Sequence, residues 1–365
     1  MSEKLRLLVL FGGRSGEHEV SLMSARSVLA ALKPEKYDII PVGITKQGRW
    51  LTGPNALEAF LAGQTDDLLP VTLLPDPSRR GLWLLEDEGG MRPYAPVDVV
   101  FPVLHGTFGE DGTLQGLLEL ADVAYVGAGV VGSAVGMDKG IFKDVMRAHG
   151  IPLAEYAVFT RREIETDLDD VIARCEAIAP YPLFVKPANL GSSVGITKAR
   201  DRETLRSALH LAAQYDRRIV VERGLDAREI EVAVLGNEQP QASVPGEIVP
   251  GGEFYSYEAK YQDASSQLLI PAPLTPEQTE TVRALAIKVY RAVDGAGMAR
   301  VDFLLDKTSG EFYINEVNTL PGFTQISMYP KLWEASGLAY SDLMDRLIDL
   351  ALERKAERDR TRWER

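Results

Sequence analysis

Apolar and polar positions change their period along this chain, and the changes divide it into regions. Apolar residues dominate Leu5–Phe11, Tyr37–Ile44, Val97–Leu104 and Val123–Val126, which predicts strands, while Val20–Leu32 and Leu114–Leu120 carry a helical pattern. Strands alternating with helices predict a largely parallel sheet covered by helices. The interval Leu51–Tyr94 is rich in Pro, Gly and Asp and is expected to hold a peripheral insertion.

The pattern changes from Met137 onward. Helices are expected at Lys139–His149, near Leu168–Ile178 and at Asp201–Tyr215, with short strands at Tyr156–Phe159, Leu183–Lys186, Val194–Lys198 and Ile219–Glu222. After Gly224 long strands take over, broken by a Gly- and Tyr-rich segment over Pro250–Gln267. A helix at Pro276–Val293 then leads into a hairpin. Val301, Phe303, Leu304 and Leu305 form one arm, Phe312, Tyr313, Ile314 and Val317 the other, and Asp306-Lys-Thr-Ser-Gly310 the turn. The mixed-charge run Glu353–Arg365 reads as a solvated helix end or frayed tail. The fold class expected is α/β (α+β).

Composition narrows the function. A chain of 365 residues with 45% hydrophobic and 25% charged residues is an ordinary globular protein of two or three domains. Its net charge of -13 argues against a general nucleic-acid or anionic-membrane surface, so an anionic substrate needs local Lys, Arg and backbone N–H groups. The single cysteine, Cys175, excludes an internal disulfide, and its apolar helical surroundings favour a packed thiol over a nucleophile. No apolar run approaches a signal or membrane-spanning segment, so a cytoplasmic location and no membrane partner are expected.

The hairpin carries the sharpest chemistry. A period of two points Arg300 and Asp302 to one side of their strand, and Glu316 and Asn318 to one side of theirs. Two carboxylates and an amide beside a guanidinium suit magnesium, which keeps positions for water and phosphate oxygens. Gly12-Gly-Arg-Ser-Gly-Glu17 and His105-Gly-Thr-Phe-Gly-Glu-Asp-Gly112 both follow strand ends, a common binding locus in open sheets. Glu17 there is a candidate for holding a substrate ammonium, and His105 is a candidate substrate-binding residue. Lys186, followed by the Gly191-Ser-Ser-Val-Gly195 loop, and Lys139 offer cations for phosphates. Glu222 and Glu229 are candidate acceptors for an adenine amine and ribose hydroxyls. Gly127-Ala-Gly129-Val-Val-Gly132 matches a dinucleotide-binding fingerprint, but it follows the last strand of its unit and no acidic residue closes a second strand about twenty residues on. A tight turn between two domains explains it better than a dehydrogenase does.

Taken in order, these segments resemble the D-alanine–D-alanine ligase family of ATP-grasp enzymes. The matching text runs from Phe11-Gly-Gly-Arg-Ser-Gly-Glu-His-Glu-Val-Ser21 through His105–Gly112, Met137-Asp-Lys139, Val185-Lys-Pro187, Gly191–Gly195, Tyr257-Glu-Ala-Lys-Tyr261 and Arg300-Val-Asp302 to Asn315-Glu-Val-Asn-Thr-Leu-Pro-Gly322. The resemblance implies a three-domain ATP-grasp architecture, in parts 1–127, 128–225 and 226–365, with ATP between the central and C-terminal parts. It assigns Lys139, Lys186, Glu222 and Glu229 to ATP, and Asp302, Glu316 and Asn318 to two magnesium (or manganese) ions. It places Glu17 on the first D-alanine's ammonium, joined to Ser192 and Tyr261 by hydrogen bonds that close a mobile loop, 250–267, over the site. Lys260 would reach the transferred phosphate and Ser327 the second D-alanine's carboxylate.

The implied reaction makes D-alanyl-D-alanine for peptidoglycan through an acyl phosphate. Arg300 and the Gly322 N–H would stabilise the oxyanion that follows. A homodimer is the expected assembly. An ATP-binding regulatory protein lacking turnover is the rival from another class, and Arg300 and Lys260 speak against it, because binding alone needs no oxyanion group.

Overall fold

The computed structural model describes residues 4–87, 89–191, 194–250 and 267–362, and among these the strands form three sheets. The first is built from β1 (Leu5–Gly12), β2 (Tyr37–Ile44), β3 (Trp50–Thr52), β4 (Leu69–Leu73), β5 (Leu82–Leu85), β6 (Met91–Ala95), β7 (Val99–Val103) and β8 (Ala124–Tyr125), with helices α1 (His18–Ala31), α2 (Ala56–Ala62) and α3 (Thr113–Leu120). Its spatial order is β6-β5-β4-β3-β2-β1-β7-β8. The strands β2, β1, β7 and β8 pair in parallel, whereas β3 to β6 add on antiparallel. The interval expected as an insertion is thus a meander that widens the sheet. Its outermost strand carries Pro93, and an edge strand tolerates the missing ladder donor.

The second group begins with α4 (Val130–Met137) and α5 (Lys139–Ala148). It continues with β9 (Tyr156–Thr160), α6 (Arg161–Thr166), α7 (Leu168–Glu176), β10 (Leu183–Pro187), β11 (Thr197–Ala199), α8 (Arg202–Tyr215) and β12 (Arg218–Arg223). Its sheet runs β11-β10-β12-β9, wholly antiparallel. Helix α4 lies where only a turn was expected. Its sequence Val-Val-Gly-Ser-Ala-Val-Gly-Met has no polar face: Val130 and Val131 are exposed, while the inner side approaches backbone closely, where a Cβ on Gly132 would sit 2.7 Å from the Asp294 carbonyl oxygen.

The third group holds β13 (Ala227–Leu235), β14 (Gln241–Ala242), β15 (Gly246–Val249), β16 (Gln267–Leu269), α9 (Pro276–Ala292), β17 (Met298–Asp306), β18 (Phe312–Asn318), α10 (Met328–Ala335) and α11 (Tyr340–Arg358). The sheet order is β16-β15-β13-β17-β18, with β14 pairing on β13. Strand β13 shows why its polar residues face a cavity: Ile230, Val232 and Val234 are fully buried against α9, and the alternate Glu229 and Glu231 take the other face.

The last two helices return to the first sheet. Met328, Tyr329, Leu332 and Trp333 of α10, and Leu343, Leu347 and Ile348 of α11, share one buried cluster with Leu7, Val9 and Phe101. The charged run at the C-terminal end is therefore not merely solvated. Arg354 bonds Glu119 and the Tyr125 hydroxyl, and Lys355 and Arg358 bridge Asp122. No helix among the described residues is long and apolar enough to cross a membrane.

Candidate active site

Two adjoining cavities open between the sheets. The smaller, about 130 Å³, is lined by Glu17, His105, Lys139, Arg300, Glu316, Asn318, Gly322 and Ser327 among others. The larger, about 750 Å³, is lined by Lys186, Glu222, Glu229, Asp302 and Glu316. Glu231, Glu316, Ile196 and Ile248 belong to both walls. Every candidate residue among those described therefore lines one of two chambers with a shared wall. Ser192, Lys260 and Tyr261, and the loop 250–267 apart from its end residues, lie outside the described residues.

The shared wall is set by strand register. Glu231 of β13 pairs with Asp302 of β17, which pairs in turn with Glu316 of β18, while Arg300 pairs with Asn318. Side chains opposite one another on one face are neighbours, so these polar groups form one patch. A bulge follows Asp302, where the register steps from Glu316 to Ile314 and leaves Asn315 over. Bulges re-aim side chains beside active sites. Here Ile314 and Val317 enter the core, so the two residues between them, Asn315 and Glu316, both line the larger chamber.

Charge is concentrated and compensated. Arg300 Nε and one of its terminal nitrogens donate to the two Asp302 oxygens at 2.8 and 2.6 Å, and Nε lies 3.0 Å from Glu231. Burial opposes the guanidinium charge, but Asp302 and Glu231 outweigh it and hold Arg300 firmly protonated. In the larger chamber Glu222 is ion-paired with Lys143 at 2.6 Å and with Lys186. Burial favours the neutral acid there; the two ammoniums win, and the Glu222 carboxyl is pulled down to about 2. Lys143 is missing from the sequence-derived set, and so are Glu231 and the bidentate pair Arg228–Glu247 on the same chamber's wall.

The smaller chamber is built on the first sheet's carboxyl end. Ser15 Oγ accepts from the Glu17 N–H at 2.9 Å and donates to the His105 carbonyl at 2.7 Å, which locks the two strand-end loops together. Glycines let both neighbouring loops press on the Glu17 carboxylate. A Cβ on Gly106, whose φ is +74°, or on Gly191 would lie 2.7 Å from Glu17 Oε2. Burial drives the His105 imidazole toward its neutral form, outweighing the attraction of Glu17. Glu110, also absent from the sequence-derived set, accepts from the Gly106 N–H at 2.6 Å, and burial followed by repulsion from Glu17 raises it well above the carboxylate range. At the other end of the chamber Ser327 Oγ meets Thr324 Oγ1 at 2.8 Å, and a Cβ on Gly322 would lie 2.8 Å from that serine oxygen.

A guanidinium, a carboxylate–amide cluster and buried lysines facing two joined chambers can hold a triphosphate beside a small zwitterion. Matches to known proteins agree with that geometry. Family models described as the D-ala D-ala ligase N-terminus and C-terminus match residues 6–128 and 145–349. The chain belongs to the D-alanine–D-alanine ligase family. A member from Thermoanaerobacter pseudethanolicus is 55% identical over 360 residues, covering 98% of this chain and 99% of its own, and one from Heliobacterium modesticaldum is 52% identical over 362 residues, covering 99% and 98%. Among solved structures, the ligase from Coxiella burnetii superposes with a TM-score of 0.83 at 38% identity, covering 98% of this chain and 97% of that one. A D-Ala:D-Ser ligase from Enterococcus faecalis gives 0.85 at 37%, covering 96% and 100%. Both share the ATP-grasp fold of this chain.

Proposed function

We propose that the two chambers divide the ATP-dependent ligation of two D-alanines, the larger taking the nucleotide and the smaller the amino acids. The observation that carries this division is the cross-strand patch Arg300, Asp302, Glu316 and Asn318 at their common wall, where a phosphoryl group leaving one chamber enters the other. Lys139, Lys186, Glu222 and Glu229 hold ATP. The donor set Asp302, Glu316 and Asn318 supplies hard oxygens and fits magnesium or manganese, with phosphate oxygens and water completing the shell. When bound, the ions neutralise charge on the transferring phosphoryl group.

The residues of the chain do the rest. Glu17 holds the ammonium of the first D-alanine, so that its carboxylate oxygen bonds to the γ-phosphorus and ADP leaves. Ser327 holds the carboxylate of the second D-alanine, whose neutral amine attacks the acyl carbon and expels phosphate. Arg300 and the Gly322 N–H stabilise the intervening oxyanion, by about 3–4 kcal/mol for a donor of this kind. His105 lines the amino-acid subsite as a neutral ring. Lys260 on the transferred phosphate, and Ser192 and Tyr261 on Glu17, are carried by the motifs alone, as are closure of 250–267, the units 1–127, 128–225 and 226–365, a homodimeric assembly and a cytoplasmic location. The test is phosphate release with ATP and magnesium, with and without D-alanine. Release independent of D-alanine would sink the ligase assignment of these chambers.

A further inference from the structure

The Gly322 N–H assigned to the oxyanion sits in the tetrapeptide Leu320-Pro-Gly-Phe323, and side chains from the first sheet's unit hold both of its ends. The Leu320 carbonyl lies 3.1 Å from His105 Nδ1, and a carbonyl only accepts, so Nδ1 carries the proton. His105 Nε2 lies 3.0 Å from the hydroxyl of Ser24, a fully buried residue of α1. In the neutral ring Nε2 accepts, so Ser24 donates to it. The same Ser24 oxygen accepts from the Phe323 N–H at 3.3 Å. These contacts close a ring: Leu320 carbonyl, His105, Ser24, Phe323 N–H.

The ring leaves little freedom between its ends. Pro321 fixes its own φ. Phe323 is anchored by edge contacts to Phe101 and Tyr329 and by the Tyr340 hydroxyl, which donates to its carbonyl at 2.8 Å. The soft torsions left between those ends are Pro321 ψ and the two of Gly322, which together aim the Gly322 N–H, and Gly322 is the residue of the four that lines the chamber. We propose that Ser24 is a positioning residue for the ligation step: by orienting His105 and holding the Phe323 N–H together, it sets the direction of the Gly322 N–H. The proposal rests on the ligase reading and on the Gly322 assignment, and it joins a helix of the first unit to the oxyanion site by hydrogen bonds alone.

Two measurements test it. The wild-type protein has four histidines, so the imidazole nitrogens of His105 can be assigned by nitrogen-15 NMR against His105→Gln. The Nδ1–H tautomer is expected, and an Nε2–H tautomer or an imidazolium overturns the ring without any Ser24 variant. In steady-state kinetics Ser24→Ala removes one oxygen from a helix and should retain the fold. It should lower kcat about 10- to 100-fold, as a misaligned donor does. KM for D-alanine should stay within about threefold, the pattern of an interaction made only in the transition state. Ser21→Ala is the control, since Ser21 is an equally buried serine one turn earlier that bonds Gly12 and Val103. If the two variants lose kcat equally, or Ser24→Ala loses only KM or nothing, the positioning role fails. Failure of the ligase reading is separate, because it appears as wild-type phosphate release that ignores D-alanine.

Discussion

Replacing Glu222 by Gln strikes a buried point of the larger chamber where three charges meet. Its carboxylate lies between Lys143 and Lys186, and relative exposures of 4%, 2% and 9% leave these three groups little water. The carboxyl is drawn from its ordinary 4.5 to about 2. A fall of that size corresponds to roughly 3–4 kcal/mol at about 1.4 kcal/mol per pH unit. Because the folded value is depressed, this stability is fully present above about pH 4.5 and drains as pH falls through about 2. Glu222→Gln is therefore expected to destabilise the nucleotide-free protein at pH 7 by about 3–5 kcal/mol, the range for stripping one partner from a buried pair. With about 2.1 cal/mol/K of unfolding entropy per residue, that is at least roughly 4 °C in Tm if the whole chain unfolds together, and nearer 15 °C if a unit of about 100 residues unfolds alone.

A double-mutant cycle separates charge from packing. Lys143→Met keeps the stem and leaves Glu222 paired with Lys186, so its own cost should be about 1 kcal/mol or less. In that background Glu222→Gln strands one ammonium instead of two, and its penalty should shrink by at least about 1 kcal/mol. Thermal and denaturant unfolding without nucleotide measure all four corners. Additivity within about 0.5 kcal/mol would refute the electrostatic account. So would a wild-type advantage that failed to narrow between pH 4.5 and 2.

Three further outcomes are expected. Burial penalises the Glu110 charge, so Glu110→Gln should be more stable than wild type at pH 7. Its folded pKa is raised, so the gain should vanish as pH falls below about 4.5, and a variant less stable at pH 7, read by Tm against pH, would contradict the raised pKa. Asp302→Asn and Glu316→Gln should each abolish D-alanine-dependent phosphate release while circular dichroism stays native; near-native release by either removes the metal assignment. Tyr261→Phe should keep peptide synthesis but raise the share of D-alanyl-D-lactate when D-lactate competes, about 10- to 200-fold for a barrier change of 1–3 kcal/mol. An unchanged product ratio across pH would take the choice of second substrate away from Tyr261.

The hairpin was legible because a period of two is unambiguous where Val301 and Phe303 alternate with Arg300 and Asp302. The same period marks Glu229 and Glu231 alternating with Ile230 and Val232, so the sequence carries a readable signal for Glu231 as well. Lys143 had one as well: it follows Phe142 and sits three residues before Met146, both buried, which puts a charge on the apolar stripe of α5. Partners are another matter. That Lys143 meets Glu222, or that Ser24 meets both His105 and the loop at Leu320–Phe323, depends on how sheets distant in sequence are packed. No local pattern encodes those meetings. Helix α4 is hidden for a different reason, since its exposed side carries Val130 and Val131 and so lacks the polar face by which amphipathic helices are read.

The shared wall also follows from the chemistry the family performs. An acyl phosphate is activated toward water as much as toward an amine, so it is best made and consumed in one place from which bulk water is excluded. Separate nucleotide and amino-acid pockets would require that intermediate to travel. Here Glu231 and Glu316 line both chambers, and Arg300 of the smaller is bonded to Asp302 of the larger. The guanidinium proposed for the oxyanion is thus tied to the carboxylate proposed for the phosphate's metal. Register couples the two half-reactions more tightly than any loop does, because Arg300 and Asp302 stand two residues apart on a strand whose other face is buried in the core. Sliding that strand by one residue would turn both groups into the core and expose Val301 and Phe303, an exchange of apolar for charged burial that the fold opposes by many kcal/mol.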